Sequence, residues 1–200
     1  MESMISRIFD YLHRVLQYLC RRPRYGEYHV SDIVKKALII TPRYVWLKEC
    51  VHISYNSRIE GVAEYAGKTY NPQIILEKGV SIQQNLHLTC AERIVIGPDT
   101  AIGANVTVTD IHHPYTDITK PIDAQPIEVH PVEIGAECKI YNNAVILPGT
   151  KIGRHVTVGA NSVVSGVIPD YCVVVGAPAR IVKQYDAATG QWLKKDDNVG

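Results

Sequence analysis

A six-residue step governs the chain from Ile134 to Pro169. Cut into sixes, the stretch reads IGAECK, IYNNAV, ILPGTK, IGRHVT, VGANSV, VSGVIP. Ile134, Ile140, Ile146, Ile152, Val158 and Val164 head the blocks. Four places later stand Cys138, Ala144, Thr150, Val156, Ser162 and Ile168, mostly small or β-branched. A helix repeats at about 3.6 residues and a simple strand at about two, so neither accounts for this step. A period of six is the mark of a parallel β-helix. Each block supplies one short strand and a bend, and three blocks close a triangular coil. Coils stack about 4.8 Å apart. The leading aliphatic residue points into the prism, and the small residue lets the chain turn the corner.

Other stretches extend the pattern. A second run begins at Leu76 as LEKGVS, IQQNLH, LTCAER and then Ile94. The register slips by two and resumes at Ile96, Ile102 and Val108. Val45 to Ile59 reads as a first, irregular coil, with Gly61 to Pro72 a loop or distorted face. From Asp110 to Val132 the hexads stop, and Pro114, Pro121, Pro126 and Pro131 are spaced through polar residues. This segment is too long and too proline-rich for a coil face, so it projects outward. Long loops on rigid scaffolds are where function concentrates.

The first residues follow another rule. Met4, Ile5, Ile8, Phe9, Leu12, Val15, Leu16 and Leu19 form one apolar stripe at helical spacing. Arg21, Arg22, Pro23 and Arg24 end the helix, with cations where the dipole favours them. One reading makes it a cap over the open end of the prism. Another makes it an interfacial helix on a membrane surface beside a lipid-linked substrate, and a third a docking surface for a partner. Residues 26–50 read as a connector with a short helix at Ser31 to Leu38, capped by Ser31. The expected organisation is a helical leader over 1–44, a β-helix domain over 45–184 with its projecting loop at 110–132, and a polar tail over 185–200 that frays beyond Trp192.

Composition narrows the function. A formal net charge of +1 over 200 residues lacks the basic face that nucleic-acid binding needs. Five scattered cysteines with no CxxC spacing read as reduced thiols of a cytoplasmic protein. There is no apolar h-region of a signal peptide and no run of about 20 apolar residues for a membrane span. The expected location is the cytoplasm, at the inner membrane surface if the helix is interfacial.

The chemistry gathers at the root of the projecting loop, Thr109-Asp110-Ile111-His112-His113-Pro114-Tyr115. Adjacent side chains in an extended chain point to opposite sides. One histidine therefore faces a cleft and the other the scaffold or solvent. A histidine near neutrality suits a general base, and Asp110 is close enough in sequence to orient its ring.

The hexads, the DxHHPY loop, the block GAECKIYNNAVILPGTKIGRHVTVGANSVVSGVIPD and the ending VVGAPARIVK resemble the left-handed β-helix acyltransferases. Within them the chain is most similar to sugar O-acetyltransferases of the maltose, galactoside and capsule or lipopolysaccharide type, over about residues 74–183. The resemblance implies a mainly β, left-handed prism, a homotrimer with active sites between prisms, and acetyl-CoA as donor. It implies no bound cofactor and no metal. Position by position, His113 matches the base, with His112 the fallback. Gln83 and Asn85 match an acceptor-binding amide, and Tyr115 joins them as an acceptor candidate. Ala144, Gly159 and Ala160 match the small residues beside pantetheine. Pro178 and Arg180 match the end of the CoA groove, where a cation meets a phosphate.

The chain departs from the family where a tryptophan often stands in a block reading NVWIGANAVILPG. Here that position is Lys139, and the following glycine position is Tyr141. Lys139 is thus a candidate contact for an acidic acceptor or a CoA phosphate. Serine acetyltransferases share the fold but place their histidines differently, which ranks them low. A zinc lyase of this fold needs three histidine ligands and typically a His-x4-His pair, which the chain lacks. A non-catalytic scaffold and an N-acetyltransferase of an amino-sugar nucleotide stay open as alternatives to a sugar O-acetyltransferase.

Overall fold

In the computed structural model, which describes residues 4–195, the hexads close a left-handed parallel β-helix. Three sheets of short parallel strands form its faces. The first face stacks Ile33–Val34, His52–Ile53, Ser81–Ile82, Ala101–Ile102, Lys139–Ile140, Thr157–Val158 and Cys172–Gly176. The second stacks Leu38–Ile39, Arg58–Gly61, His87–Cys90, Thr107–Thr109, Val145–Ile146 and Val163–Val164. The third stacks Val45–Leu47, Gln73–Leu76, Arg93–Ile96, Val132–Ile134, Lys151–Ile152 and Val167–Ile168. Register is in phase coil to coil: Ile82 sits over Ile102, Ile102 over Ile140 and Ile140 over Val158.

Every residue that heads a hexad from Ile134 to Val164 is buried, and so is every small residue four places later. Burial of these columns on all three faces supplies the hydrophobic driving force that no two-residue strand could supply alone. The glycines that follow several leading aliphatics have a packing reason. A Cβ at Gly97 or Gly135 would lie 2.6 or 2.5 Å from the backbone of the next coil.

At another corner Asn85, Asn105, Asn143 and Asn161 all have positive φ, between 57° and 62°. Asparagine tolerates this left-handed conformation better than most residues. Their side chains also form a ladder. Asn85 Nδ2 donates to Asn105 Oδ1 (2.8 Å), Asn105 to Asn143 (3.0 Å) and Asn143 to Asn161 (3.0 Å).

Three boundaries differ from the sequence reading. The expected helix at 31–38 is absent. Ile33–Val34 and Leu38–Ile39 are instead strands of a first coil, paired with His52–Ile53 and Arg58–Gly61. The prism therefore starts well before residue 45. The interruption at 61–72 is a hairpin of Glu64–Tyr65 and Lys68–Thr69, turned by Ala66 and Gly67, both at positive φ. The expected tail is also a hairpin: Ala179–Asp186 pairs with Cys172–Gly176 on one side and with Gln191–Lys194 on the other. Its strand pairing runs past Trp192, and the rest of the expected tail, residues 196–200, lies outside the described residues.

The N-terminal helix, α1, spans Met4–Arg21. It does not cap the prism with its apolar stripe, because Ile8, Leu12, Leu16 and Leu19 are exposed.

Candidate active site

Both excursions leave the prism at the corner between the second and third faces, and they pack on each other. Tyr65 Oη in the short hairpin donates to the Asp123 carbonyl (3.0 Å), and Tyr70 Oη to that of Ile127 (3.1 Å). The long loop is itself pinned: Ile111–His112 pairs antiparallel with Glu128–Val129, and His130 N–H donates to the Asp110 carbonyl (2.8 Å).

Between the hairpins and the second face lies a cavity of about 360 Å³. It is lined by Val62, Tyr65, His87, Thr89, Thr107, Thr109, Ile111, His113 and Ile127. The face contributes its outward positions, because Leu88 and Val108 alternate inward. Thr89 Oγ1 donates to Thr109 Oγ1 across the coils (3.0 Å). His87 Nε2 accepts from the Arg58 guanidinium (3.3 Å), which also pairs with Glu60. A mainly apolar wall with a few hydroxyls and two imidazoles suits a small polyol whose apolar face packs while its hydroxyls are sorted.

His113 reaches this cavity and His112 does not. Alternation along the extended segment sends them to opposite sides, as expected. The His112 ring instead meets the largely exposed Tyr115, edge to face at 6.0 Å. The His113 ring stands edge to face with Tyr65, centroids 5.3 Å apart at 77°. Its Nδ1 is buried and has no hydrogen-bond partner among the described residues. Nε2 is thus the ring nitrogen left to the cavity.

Asp110 has a different role from the expected one. It is fully buried, and both carboxylate oxygens are committed elsewhere. Oδ1 accepts from Ala91 N–H (2.8 Å), and Oδ2 from Glu92 and Arg93 N–H (2.8 Å each). The Cys90 thiol also donates to Oδ2 (3.3 Å). Burial, and then the neighbouring Asp110 charge, push that thiol well above the usual range. Asp110 therefore ties the root of the loop to the previous coil's tight corner and does not orient His113.

The other expected acceptor contacts lie away from the cavity. Gln83 and Asn85 sit on the corner between the first and second faces, where Asn85 belongs to the asparagine ladder. Lys139 is on the first face, its ammonium 5.6 Å from the Tyr141 ring. Tyr115 stays outside the cavity lining. Of the expected CoA contacts, Ala144 is fully buried, so no ligand can touch it. Gly159 and Ala160 lie on one corner, and Pro178 and Arg180 belong to the turn tied next to it. Gly176 N–H donates to Ser162 Oγ (3.1 Å), docking the Gly176–Arg180 turn on the corner that carries Gly159 and Ala160. Arg180 is exposed, and its guanidinium donates to the neighbouring Ala179 carbonyl (3.0 Å).

Sequence reasoning missed Tyr65, His87, Thr89 and Thr109. The alternation in HLTC marks His87 and Thr89 as outward, but only the coil register sets them beside His113. Among the described residues, no three His, Cys, Asp or Glu side chains converge to hold a metal ion.

Comparison with known proteins gives the same picture. The family model "Bacterial transferase hexapeptide (six repeats)" matches residues 131–166. The putative lipopolysaccharide biosynthesis O-acetyl transferase WbbJ of Escherichia coli is 38% identical over 128 residues, 60% of this chain and 65% of WbbJ. Galactoside O-acetyltransferase of E. coli is 26% identical, over 86% of this chain and 79% of that one. Serine acetyltransferase of Staphylococcus aureus is 30% identical, over 74% and 67%. Among solved structures, the hexapeptide-repeat acetyltransferase VCA0836 of Vibrio cholerae superposes with a TM-score of 0.56 at 22% identity, over 86% and 81%. It has also been crystallised with acetyl coenzyme A. The chain belongs to the bacterial hexapeptide-repeat transferase family.

Proposed function

We propose that this protein is an acetyl-CoA-dependent O-acetyltransferase acting on a hydroxyl of a sugar or surface-polysaccharide precursor. The observation that carries the reading is His113, held edge-on by Tyr65 in a cavity of hydroxyl-bearing and apolar side chains. The similarity to WbbJ and to galactoside O-acetyltransferase supports the acceptor class.

The chemistry needs few parts. His113 Nε2 takes the proton of the acceptor hydroxyl as its oxygen attacks the thioester carbonyl. A new C–O bond forms, and the tetrahedral oxyanion is met by a backbone N–H of a neighbouring coil. The C–S bond then breaks, and the imidazolium returns its proton to the departing CoA thiolate. For Nε2 to act as the base, the ring proton sits on Nδ1. No side chain of the described residues accepts that proton, so the Tyr65 contact holds the ring without a carboxylate partner. CoA is read along the corner of Gly159 and Ala160, with Arg180 at its phosphate end. Three copies are expected to assemble, each completing a neighbour's site.

The test is a thiol-release assay with acetyl-CoA over a panel of glycans, nucleotide sugars, amino-sugar nucleotides and free serine. Turnover on a sugar hydroxyl, abolished in His113→Ala, is the expected outcome. Preference for an amino sugar would move the reading to N-acetylation, and preference for serine would remove the sugar altogether.

A further inference from the structure

α1 is bound to the prism by the side that would ordinarily face water. Arg21 Nη1 donates to the Val34 carbonyl (3.0 Å) and approaches Tyr28 Oη (3.5 Å). The Tyr18 ring lies 6.5 Å from that of Tyr28. His13, Arg14, Gln17 and Arg21 line a cavity of about 500 Å³ shared with Asp32 to Lys36 and Tyr55 of the first coil. At about 100° per residue these polar side chains project roughly opposite the apolar stripe. The stripe therefore points outward: Ile8 is 51% exposed, Leu12 51%, Leu16 61% and Leu19 62%. An apolar face of this length is uncommon on a surface without a partner.

Charge says what covers it. Residues 4–24 carry five arginines against the single acid Asp10, in a chain whose whole net charge is only +1. Arg22 and Arg24 are exposed just beyond the helix, and Lys35 and Lys36 are exposed on the first coil beneath it. Arg24 and Arg43 also flank Ile40, a second exposed aliphatic at this end of the prism. Burying the stripes of several copies together would crowd these like charges. An anionic surface would be attracted by them. At 18 residues the helix is about 27 Å long, and it is not apolar enough to cross a membrane.

We infer that α1 lies flat on an anionic lipid bilayer, with Ile8, Leu12, Leu16 and Leu19 in the acyl boundary and the exposed Arg22 and Arg24 among the headgroups. The polar side of the helix stays docked on the first coil. The prism is thereby held at the membrane surface, where an acceptor carried on a lipid would be presented. The inference rests on the helix alone and stands whichever acceptor the catalytic cavity takes.

The test is flotation of the full chain with vesicles of phosphatidylcholine, with and without phosphatidylglycerol. The protein is expected to float with the anionic vesicles and to dissociate as salt is raised. Leu12→Glu combined with Leu16→Glu should lower the partition coefficient about tenfold or more and leave acetyl transfer to a soluble acceptor unchanged. As a second probe that leaves the stripe apolar, Leu16→Trp should shift its emission to the blue when anionic vesicles are added. Failure of the wild type to float overturns the inference, as does equal flotation of the double variant or an unshifted Leu16→Trp. A lipid-free double variant of lower oligomeric mass than the wild type would assign the stripe to a second copy and overturn it too.

Discussion

The carboxylate of Asp110 lies 2.8 Å from the backbone nitrogen of Arg93, one coil earlier, and the same oxygen holds Glu92 N–H. A buried carboxylate satisfied by three backbone donors closes the Ala91–Arg93 corner. Asp110→Asn replaces one acceptor oxygen by an NH2 that faces N–H donors. At about 1–3 kcal/mol for a buried group left unpaired, and about 2–4 °C per kcal/mol for a chain of this size, the melting temperature should fall by roughly 2–12 °C. If the variant melts with the wild type, the corner does not depend on this carboxylate.

The asparagine ladder makes a separable prediction. Asn105→Ala removes two side-chain bonds and forces alanine into φ 58°, which costs about 1–2 kcal/mol for an ordinary residue. Asn105→Gly relieves the backbone part only. Denaturant melts should therefore rank wild type above Asn105→Gly and Asn105→Ala last. Alanine equal to glycine would mean that the backbone conformation carries no cost here.

These two cases explain what could be read from the sequence. The hexads of Ile134 to Val164 announce their faces because burial repeats in the chain itself. The register slip after Ile94 and the outward course of residues 110–132 follow from where the repeat fails. The opposite directions of His112 and His113 were legible from strand alternation, and the resemblance named the one that lines the cavity. Asp110 was misread because proximity in sequence cannot show that three N–H groups of a previous coil lie nearer than an imidazole. Asn85 was named as an acceptor contact from the resemblance, which does not show its ladder bond to Asn105. The α1 stripe was legible as a stripe, but its direction depends on Arg21 finding the Val34 carbonyl.

Ala160 and Ser162 are two residues apart and should respond oppositely to enlargement. Ala160 is exposed on the corner, and Ser162 is buried with its hydroxyl accepting Gly176 N–H. Ala160→Trp should raise KM for acetyl-CoA severalfold with little change in melting. Ser162→Leu should overpack the corner and orphan Gly176 N–H, at roughly 1–3 kcal/mol. Equal thermal losses in the two variants would place the CoA groove elsewhere.

Asp32 predicts a pH dependence of stability. It is 3% exposed, and burial pushes its carboxyl up to about 6, against the pull of backbone bonds from His29 and Val51. Between the ordinary carboxylate range and about pH 6 the folded chain keeps a proton that the unfolded chain has released. This contribution is present at about pH 4 and is lost as pH rises to 6. At about 1.4 kcal/mol per unit the swing is on the order of 2–3 kcal/mol. Asp32→Asn removes the titration. Wild-type stability minus variant stability should therefore fall between about pH 4 and 6, and a flat difference would contradict the raised acid.

The catalytic prediction concerns His113 and the ring that holds it. His113→Ala should keep fold and acetyl-CoA binding while kcat drops roughly 10²–10⁴-fold, the usual worth of a positioned base. His112→Ala should cost far less, because its ring meets Tyr115 outside the cavity. Tyr65 is a positioning residue, so its variants should divide. Tyr65→Phe keeps the ring against His113 and loses only the bond to the Asp123 carbonyl, so it should stay near wild type. Tyr65→Ala frees the imidazole. Misplacement of a base by about 1 Å can cost up to about 10²-fold, so kcat should fall well below that of Tyr65→Phe while KM for acetyl-CoA holds. Assays of the four variants side by side decide the matter. If His112→Ala is the inactive enzyme, the base is the neighbouring residue. If Tyr65→Phe and Tyr65→Ala are equally slow, the Asp123 bond, and not the ring contact, sets the site.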